Sequence, residues 1–193
     1  MPVITKSIAL CLVCSAGSWL SPLPALHAQE AGELASSRDT LIAAARDIIE
    51  ASRYGALVTL DESGHPRVRT MDPFAPDEDM VIWFGTNRQT RKVKEIENDP
   101  RVTLYYPAPD TDGYVTIYGV ARLVDDPAEK ARRWKPEWGR FYPDREATYL
   151  LIAVTPERME IVSYSHGIVG DPDTWRPAFV EFPDPNVGLN PAN

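Results

Sequence analysis

MVIWFGTNRQTRKVKEIENDPRVTLYYP, Met80 to Pro107, holds three elements in succession. Five apolar residues, Met80–Phe84, open a run that reads as a strand as far as Thr86 and lies inside a sheet. Gly85 and the polar stretch behind it close the run. After Lys92, Val93 and Ile96 are spaced as the buried face of a short helix, VKEIE. RVTLYYP (Arg101–Pro107) reads as the next strand. Thr90, Arg91 and Lys92 therefore fall in the first turn of the helix. Cations there cost about a few tenths of a kcal/mol each, because the free backbone N–H groups already present positive charge. An anion between them reverses that cost. Thr90 offers a hydroxyl, Arg91 a bidentate fork and Lys92 a point charge, which together suit a phosphate. A solvated helix carrying Arg91–Glu95 and Lys94–Glu97 ion pairs accounts for the same spacing. Spacing alone leaves both readings open.

Outward from this stretch the chain is rich in strands. A helix from about Arg38 to Arg53 precedes them, with Leu41, Ile42, Ala45, Ile48 and Ile49 on one face. GALVTLD (Gly55–Asp61) and PRVRTMD (Pro66–Asp72) are strands joined by a Ser-Gly turn in ESGHP. PFAPDED (Pro73–Asp79) is a turn. GYVTIYGVARLVDD (Gly113–Asp126) is a long strand with a bend at Gly119. Pro127 to Tyr142 reads as helix interrupted at Pro136, and YLLIAVTP (Tyr149–Pro156) and MEIVSY (Met159–Tyr164) as two final strands. About seven strands, several joined by short turns, predict a mainly β chain: an antiparallel barrel or sandwich rather than a doubly wound sheet.

At 193 residues the chain suits one domain with a real core. Its net charge of −8 argues against nucleic acid or an anionic membrane as the main partner. Lys6, the apolar SIALCLVCSAG (Ser7–Gly17) and SPLPALHA (Ser21–Ala28) read as a signal peptide over residues 1–28, which predicts an exported protein, periplasmic or secreted. Retention as an N-terminal anchor is the alternative, although the apolar stretch is short for a membrane span. Leu10 and Val13 stand just before Cys11 and Cys14 where a lipoprotein signal would need small residues, and no paired arginines precede the apolar stretch. Both cysteines lie in this segment, so the mature chain holds none, and no stable membrane span remains after cleavage. Residues 29–37 read as a linker, 38–164 as the folded domain, and 165–193 as an irregular tail rich in proline and glycine.

Reactive groups are few. Two histidines remain after cleavage, His65 in a turn and His166 in the tail, and no G-x-S-x-G elbow accompanies the SYSHG of Ser163–Gly167. Two distant histidines make a poor start for zinc, and no metal site is expected. Neither a Walker loop nor a G-x-G-x-x-G turn is present. If the protein is an enzyme, a cofactor carries the chemistry.

WFGTNRQTRKVKEIENDPRVTLYYP (Trp83–Pro107) resembles the central motif of the pyridoxamine 5′-phosphate oxidase-like superfamily, the FMN-binding split barrels. HPRVRTM (His65–Met71) resembles that family's preceding strand, and GYVTIYGVARLVDD its long strand with a central glycine. RWKPEWGRFYPD (Arg133–Asp144) and YLLIAVTPERMEIVSY (Tyr149–Tyr164) are similar to the general-stress-protein branch. The resemblance implies an antiparallel split β-barrel with an FMN site at a homodimer interface. It implies that Arg91 and Lys92 hold the phosphate with help from Thr90, and that Gly85 and Thr86 approach the ribityl chain or ring. Arg69, Thr70 and Met71 would line the isoalloxazine, with Arg69 able to stabilise reduced, anionic flavin. Tyr114 would reach the other subunit's cofactor, or be a plain strand aromatic. Trp134 reads as packing, and Trp138 as packing or as a cover for the flavin.

The resemblance has a limit. Pyridoxamine oxidases carry a C-terminal arginine–histidine element for the substrate phosphate, whereas TWRPAFVEF (Thr174–Phe182) offers Arg176 and no histidine. That argues against vitamin B6 oxidation. The leading expectation is an FMN-dependent oxidoreductase acting on a small organic substrate. A non-catalytic flavin- or tetrapyrrole-binding protein, a deazaflavin-dependent reductase, and an exported barrel serving only protein contacts are the alternatives.

Overall fold

Helix α1 (Arg38–Ser52) starts where Ser37 accepts a hydrogen bond from the Thr40 N–H, satisfying one of the orphan donors of a helix start. Leu41, Ala44, Ala45, Ile48 and Ile49 are its buried stripe. The computed structural model describes residues 37–109 and 112–183. The leader, most of the linker and the end of the tail lie outside the described residues, which all belong to the compact unit Ala35–Asn193.

Among the described residues seven antiparallel strands follow: β1 (Gly55–Leu60), β2 (Pro66–Met71), β3 (Ile82–Asn87), β4 (Arg101–Pro107), β5 (Gly113–Val124), β6 (Tyr149–Ser163) and β7 (Ala178–Glu181). Their order is β2-β1-β4-β5-β6-β3, with β7 lying beside β6. The two ends of this path approach each other just beyond β2. Pro73 bridges Phe84 of β3, and the Phe74 N–H donates to the Trp83 carbonyl at 2.9 Å. The sheet thus curls into a barrel that is joined at this point and open elsewhere: the antiparallel split barrel expected. Between β3 and β4 lies α2 (Arg91–Asn98). Between β5 and β6 lie α3 (Pro127–Arg132), a 3₁₀ turn (Pro136–Arg140) and the single turn α4 (Arg145–Thr148).

Two apolar clusters hold this together. The larger fills the barrel beneath α1 and includes Leu57, Phe84, Leu104, Tyr106, Ile117 and Ile161. The smaller covers the opposite face of β3 and β6 with Trp83, Trp138, Tyr149 and Leu151. With Ile82, Trp83 and Phe84 all buried, β3 is covered on both faces.

Several boundaries differ from the sequence reading. β3 begins at Ile82, because Met80 has a left-handed φ of 63° and its N–H closes a turn on Asp77. β3 also ends the strand path instead of lying inside it. Its apolar character comes from the two clusters and not from strands on both edges. The two strands expected over Tyr149–Pro156 and Met159–Tyr164 are one, β6. Pro156 stands opposite Gly119, where the β5–β6 register shifts, so its missing N–H falls where the ladder is already interrupted. Gly119 is required there, since a side-chain carbon would overlap the Thr155 carbonyl. The helix expected over Pro127–Tyr142 is broken before Pro136: Arg133 leaves helical geometry and Lys135 is extended, as a residue preceding proline prefers. The tail, read as irregular, contributes β7, and Val180 and Ile168 enter the main core. No helix among the described residues is long and apolar enough to cross a membrane.

Candidate functional site

The first turn of α2 carries no side-chain cap. Thr90 occupies the cap position in an extended conformation, but its hydroxyl donates to the Asn87 carbonyl at 2.8 Å and lies 3.2 Å from the Thr86 hydroxyl. The early N–H groups of the helix thus receive no side-chain acceptor from the cap position. Lys92, half-buried, donates from Nζ to the Thr86 Oγ1 at 3.2 Å. Its pKa is pushed down, first by burial and then by the neighbouring Arg69 charge.

Glu95, one turn further on, is 3% exposed. Its Oε2 accepts from Thr59 Oγ1 at 2.5 Å and from Arg69 Nη2 at 2.6 Å. Its Oε1 lies 2.7 Å from Arg91 Nε as an ion pair, but without an aligned hydrogen bond. Burial pushes this carboxyl up, yet the Thr59 hydroxyl and the Arg69 and Arg91 charges outweigh burial and hold it below the ordinary carboxylate range. Two cations, Arg69 and Arg91, thus pair with one carboxylate, and Lys92, hydrogen-bonded to Thr86, adds its charge nearby. The Arg91–Glu95 pair of the solvated-helix reading is present, but its acid lies in the interior.

A cavity of about 470 Å³ adjoins the cluster. Thr86, Thr90 and Lys92 line one part of it, and Met71, Gly85, Trp138, Phe141 and Tyr142 give it an apolar and aromatic wall. Thr70 lies on the rim, on the outward face of β2. Six of the nine residues singled out in the sequence meet here: Thr70, Met71, Gly85, Thr86, Thr90 and Lys92. Arg69 and Arg91 line no part of the cavity; both pair with Glu95, which does not line it either. The Nη1 group of Arg69 also donates to Thr59 Oγ1 and to the Leu57 carbonyl, so the side chain is largely committed within the protein and what it offers a ligand is charge. Tyr114 lies elsewhere in the chain, across from Pro107 and Val162, with its ring 5.7 Å from that of Tyr105.

Trp138 both packs and forms a wall. It lies over Gly85 and in edge contact with Phe74, ring centres 5.5 Å apart. Trp134 packs against Tyr149 at 5.2 Å and lines no part of the cavity. A second cavity of about 410 Å³ shares Arg53, Asp72 and Glu137 with the first. Sequence reasoning missed Thr59, Tyr54, Phe141 and the interior role of Glu95. The signal for Glu95 was its place one helical turn after Arg91; nothing local announced that it would be buried.

The residues set aside for a catalytic triad do meet. Ser163 Oγ lies 2.9 Å from His166 Nδ1, and His166 Nε2 lies 3.1 Å from Asp47 Oδ2. Ser163 is fully buried, however, and its hydroxyl is shared with Asp112 and Ser165. The arrangement fastens the turn after β6 to α1 and gives a substrate no approach to the hydroxyl.

A family profile described as pyridoxamine 5′-phosphate oxidase matches residues 41–163. General stress protein 26 of Bacillus subtilis (strain 168) is 26% identical over 121 residues, 61% of this chain and 84% of that protein. The pyridoxine/pyridoxamine 5′-phosphate oxidase of Anaeromyxobacter dehalogenans (strain 2CP-C) is 32% identical over 120 residues, 62% of this chain and 59% of that one, so the match spans little more than half of that enzyme. The crystal structure of General Stress Protein 26 from Bacillus anthracis str. Sterne superposes with a TM-score of 0.57 at 24% identity, covering 75% of this chain and 97% of the other. At that identity the likeness shows the shared fold.

Proposed function

This chain belongs to the pyridoxamine 5′-phosphate oxidase family, and from that premise we propose that it is an exported FMN-binding oxidoreductase that moves hydride or electrons between the flavin and a small organic substrate. The observation that carries the reading is the imbalance of charge at α2. Arg69 and Arg91 pair with a single carboxylate, Glu95, and Lys92 stands one helical turn from it, leaving an excess of two positive charges in a protein of net charge −8. A phosphate monoester, about −1.5 to −2 at neutral pH, offsets that excess. It would also relieve the burial and repulsion that push Lys92 down.

The donor set fits the group. Thr86, Thr90 and Lys92 offer hydroxyls and a cation at one part of the cavity, and Met71, Gly85 and Trp138 offer a flat apolar wall at another. A cavity of about 470 Å³ lies in the range of cofactor sites. A bound flavin supplies the redox chemistry. The chain's residues fix the phosphate, shield the ring from water and set the charge around it. The second cavity, joined through Arg53, Asp72 and Glu137, adds room for a substrate next to the ring wall.

The experiment is to purify the chain, record its absorption spectrum with and without added FMN, and repeat with Arg91 and Lys92 both changed to alanine. Binding of FMN by the wild type, and its loss in the double variant with riboflavin binding retained, is the expected result. A colourless wild type that ignores added FMN would sink the proposal. Turnover with reduced nicotinamide separates an oxidoreductase from a flavin carrier. The mass of any ligand that co-purifies separates FMN from a deazaflavin or a tetrapyrrole.

A further inference from the structure

Glu95 poses a question that the FMN reading leaves open. A carboxylate repels phosphate, so an acid buried on the helix that carries the phosphate site opposes the ligand unless it does something else. Its contacts show what that is. Thr59, fully buried on β1, fixes Oε2 from below. Arg91 meets Oε1 through Nε, and its two Nη groups make no hydrogen bond among the described residues. Arg69 is met through Nη2, while its Nη1 is taken by Thr59 and Leu57. One arginine is therefore paired by charge at its inner nitrogen, without an aligned hydrogen bond, and its fork is left over. The other is held by the fork itself.

We infer that Glu95 is the positioning residue of the phosphate site, holding Arg91 by Nε so that both of its Nη groups stay available to the ligand, and locking Arg69 as a fixed counter-charge. This rests on the FMN reading above. The energetic logic is preorganisation. A free arginine side chain loses rotamer freedom when it grips a ligand, and one already held by its Nε loses less. Thr59 extends the device, because it keeps Glu95 in place and is itself held by Arg69.

The inference has a sign that a purely electrostatic role does not share. If Glu95 only balanced charge, removing its negative charge would tighten the binding of phosphate. If it positions Arg91, removing the charge frees the arginine and weakens that binding. The readout is the ratio of FMN to riboflavin affinity, since riboflavin lacks the phosphate and reports only on the ring wall. In Glu95→Gln that ratio is expected to fall about tenfold, the equivalent of one charged hydrogen bond. Thr59→Val, which keeps the carboxylate and its charge, should lower the ratio in the same direction by a smaller factor, and it serves if Glu95→Gln does not fold. In an Arg91→Ala background Glu95→Gln should lose most of its effect on the ratio, because the larger part of that effect acts through Arg91.

A ratio that is unchanged or raised in Glu95→Gln would overturn the inference and leave the FMN reading standing. A full additional effect in the Arg91→Ala background would do the same. A wild type that binds FMN and riboflavin equally would remove the phosphate site itself, and both ideas with it. A folded variant that loses both flavins in equal proportion would show a structural role only, and would also count against positioning.

Discussion

Gly85 and Trp138 occupy each other's space: a single methyl group built on Gly85 would overlap the indole ring, and the edge of the Tyr149 ring as well. The glycine has an ordinary strand conformation, so the constraint is the close approach of the ring and not backbone freedom. Trp138 belongs to a 3₁₀ turn, held there by its contacts with Phe74 and Tyr142.

The prediction follows from that packing. Gly85→Ala should destabilise the protein by about 1–3 kcal/mol, as overpacking in a close-packed core does. It should also push Trp138 toward the cavity and weaken FMN binding about tenfold, roughly the loss of one well-packed contact surface. Thermal denaturation measures the first effect, and tryptophan emission with a flavin titration the second. An alanine variant with unchanged melting and unchanged flavin affinity would show that the indole is free to move aside.

The legibility of this molecule divides along the range of the interactions. Strands such as β4 and β5 were readable because their alternation is local, and Gly119 announced its own bend. β6 was misread at Pro156, because a proline stops a strand only if its N–H was needed, and the register shift opposite Gly119 removes that need. β7 was not readable at all, since its four residues lie close to Pro177 and Pro183 and only Val180 is buried. The same division runs through the site. Thr90, Arg91 and Lys92 stand together in the sequence, so an anion site could be suspected from them. Glu95 looked like the surface half of an i,i+4 pair. Only the approach of Thr59 and Arg69, 36 and 26 residues away, makes it an interior acid.

The tyrosines give a pH prediction. The chain holds eight. Burial pushes Tyr142 up to about 12, and raises Tyr106 and Tyr149 above the ordinary phenol range as well, with nearby Tyr142 adding to the shift at Tyr149. In the unfolded chain these phenols ionise near about 10. Below that pH both states are neutral and the groups leave stability unchanged. Above it the unfolded state releases protons that the folded state keeps, so stability falls as pH rises from the ordinary phenol value toward the folded one. A spectrophotometric titration should therefore show the exposed tyrosines ionising first and the buried ones only as circular dichroism is lost. Tyr142→Phe should soften the alkaline loss. Eight phenols ionising in one step near their ordinary value, with the fold intact, would contradict the burial.

The outward face of the barrel carries the last prediction. Cross-strand register places Tyr105, Thr116 and Ala56 on one row, and Val58, Val68, Thr103 and Tyr118 on the next. Tyr105 is 40% exposed, Tyr118 38% and Val68 65%. The rows continue onto β6 at Glu160 and Arg158, which pair with each other, and this apolar and hydroxyl-bearing face with its charges at one edge fits a second copy of the chain. Thr70 shares the face and also lines the cavity, so a partner seated there would border the flavin and could bring its own Tyr114 near it. Changing Tyr105 and Tyr118 together to glutamate places charge in the middle of the face, which a desolvated interface does not tolerate. Sedimentation equilibrium should give a dimer for the wild type and a monomer for the double variant. FMN affinity should fall with the dimer, although neither residue lines the cavity. A wild type that sediments as a monomer, or a variant that keeps the dimer mass, would move the second copy off this face and leave the cavity to be completed by one chain alone.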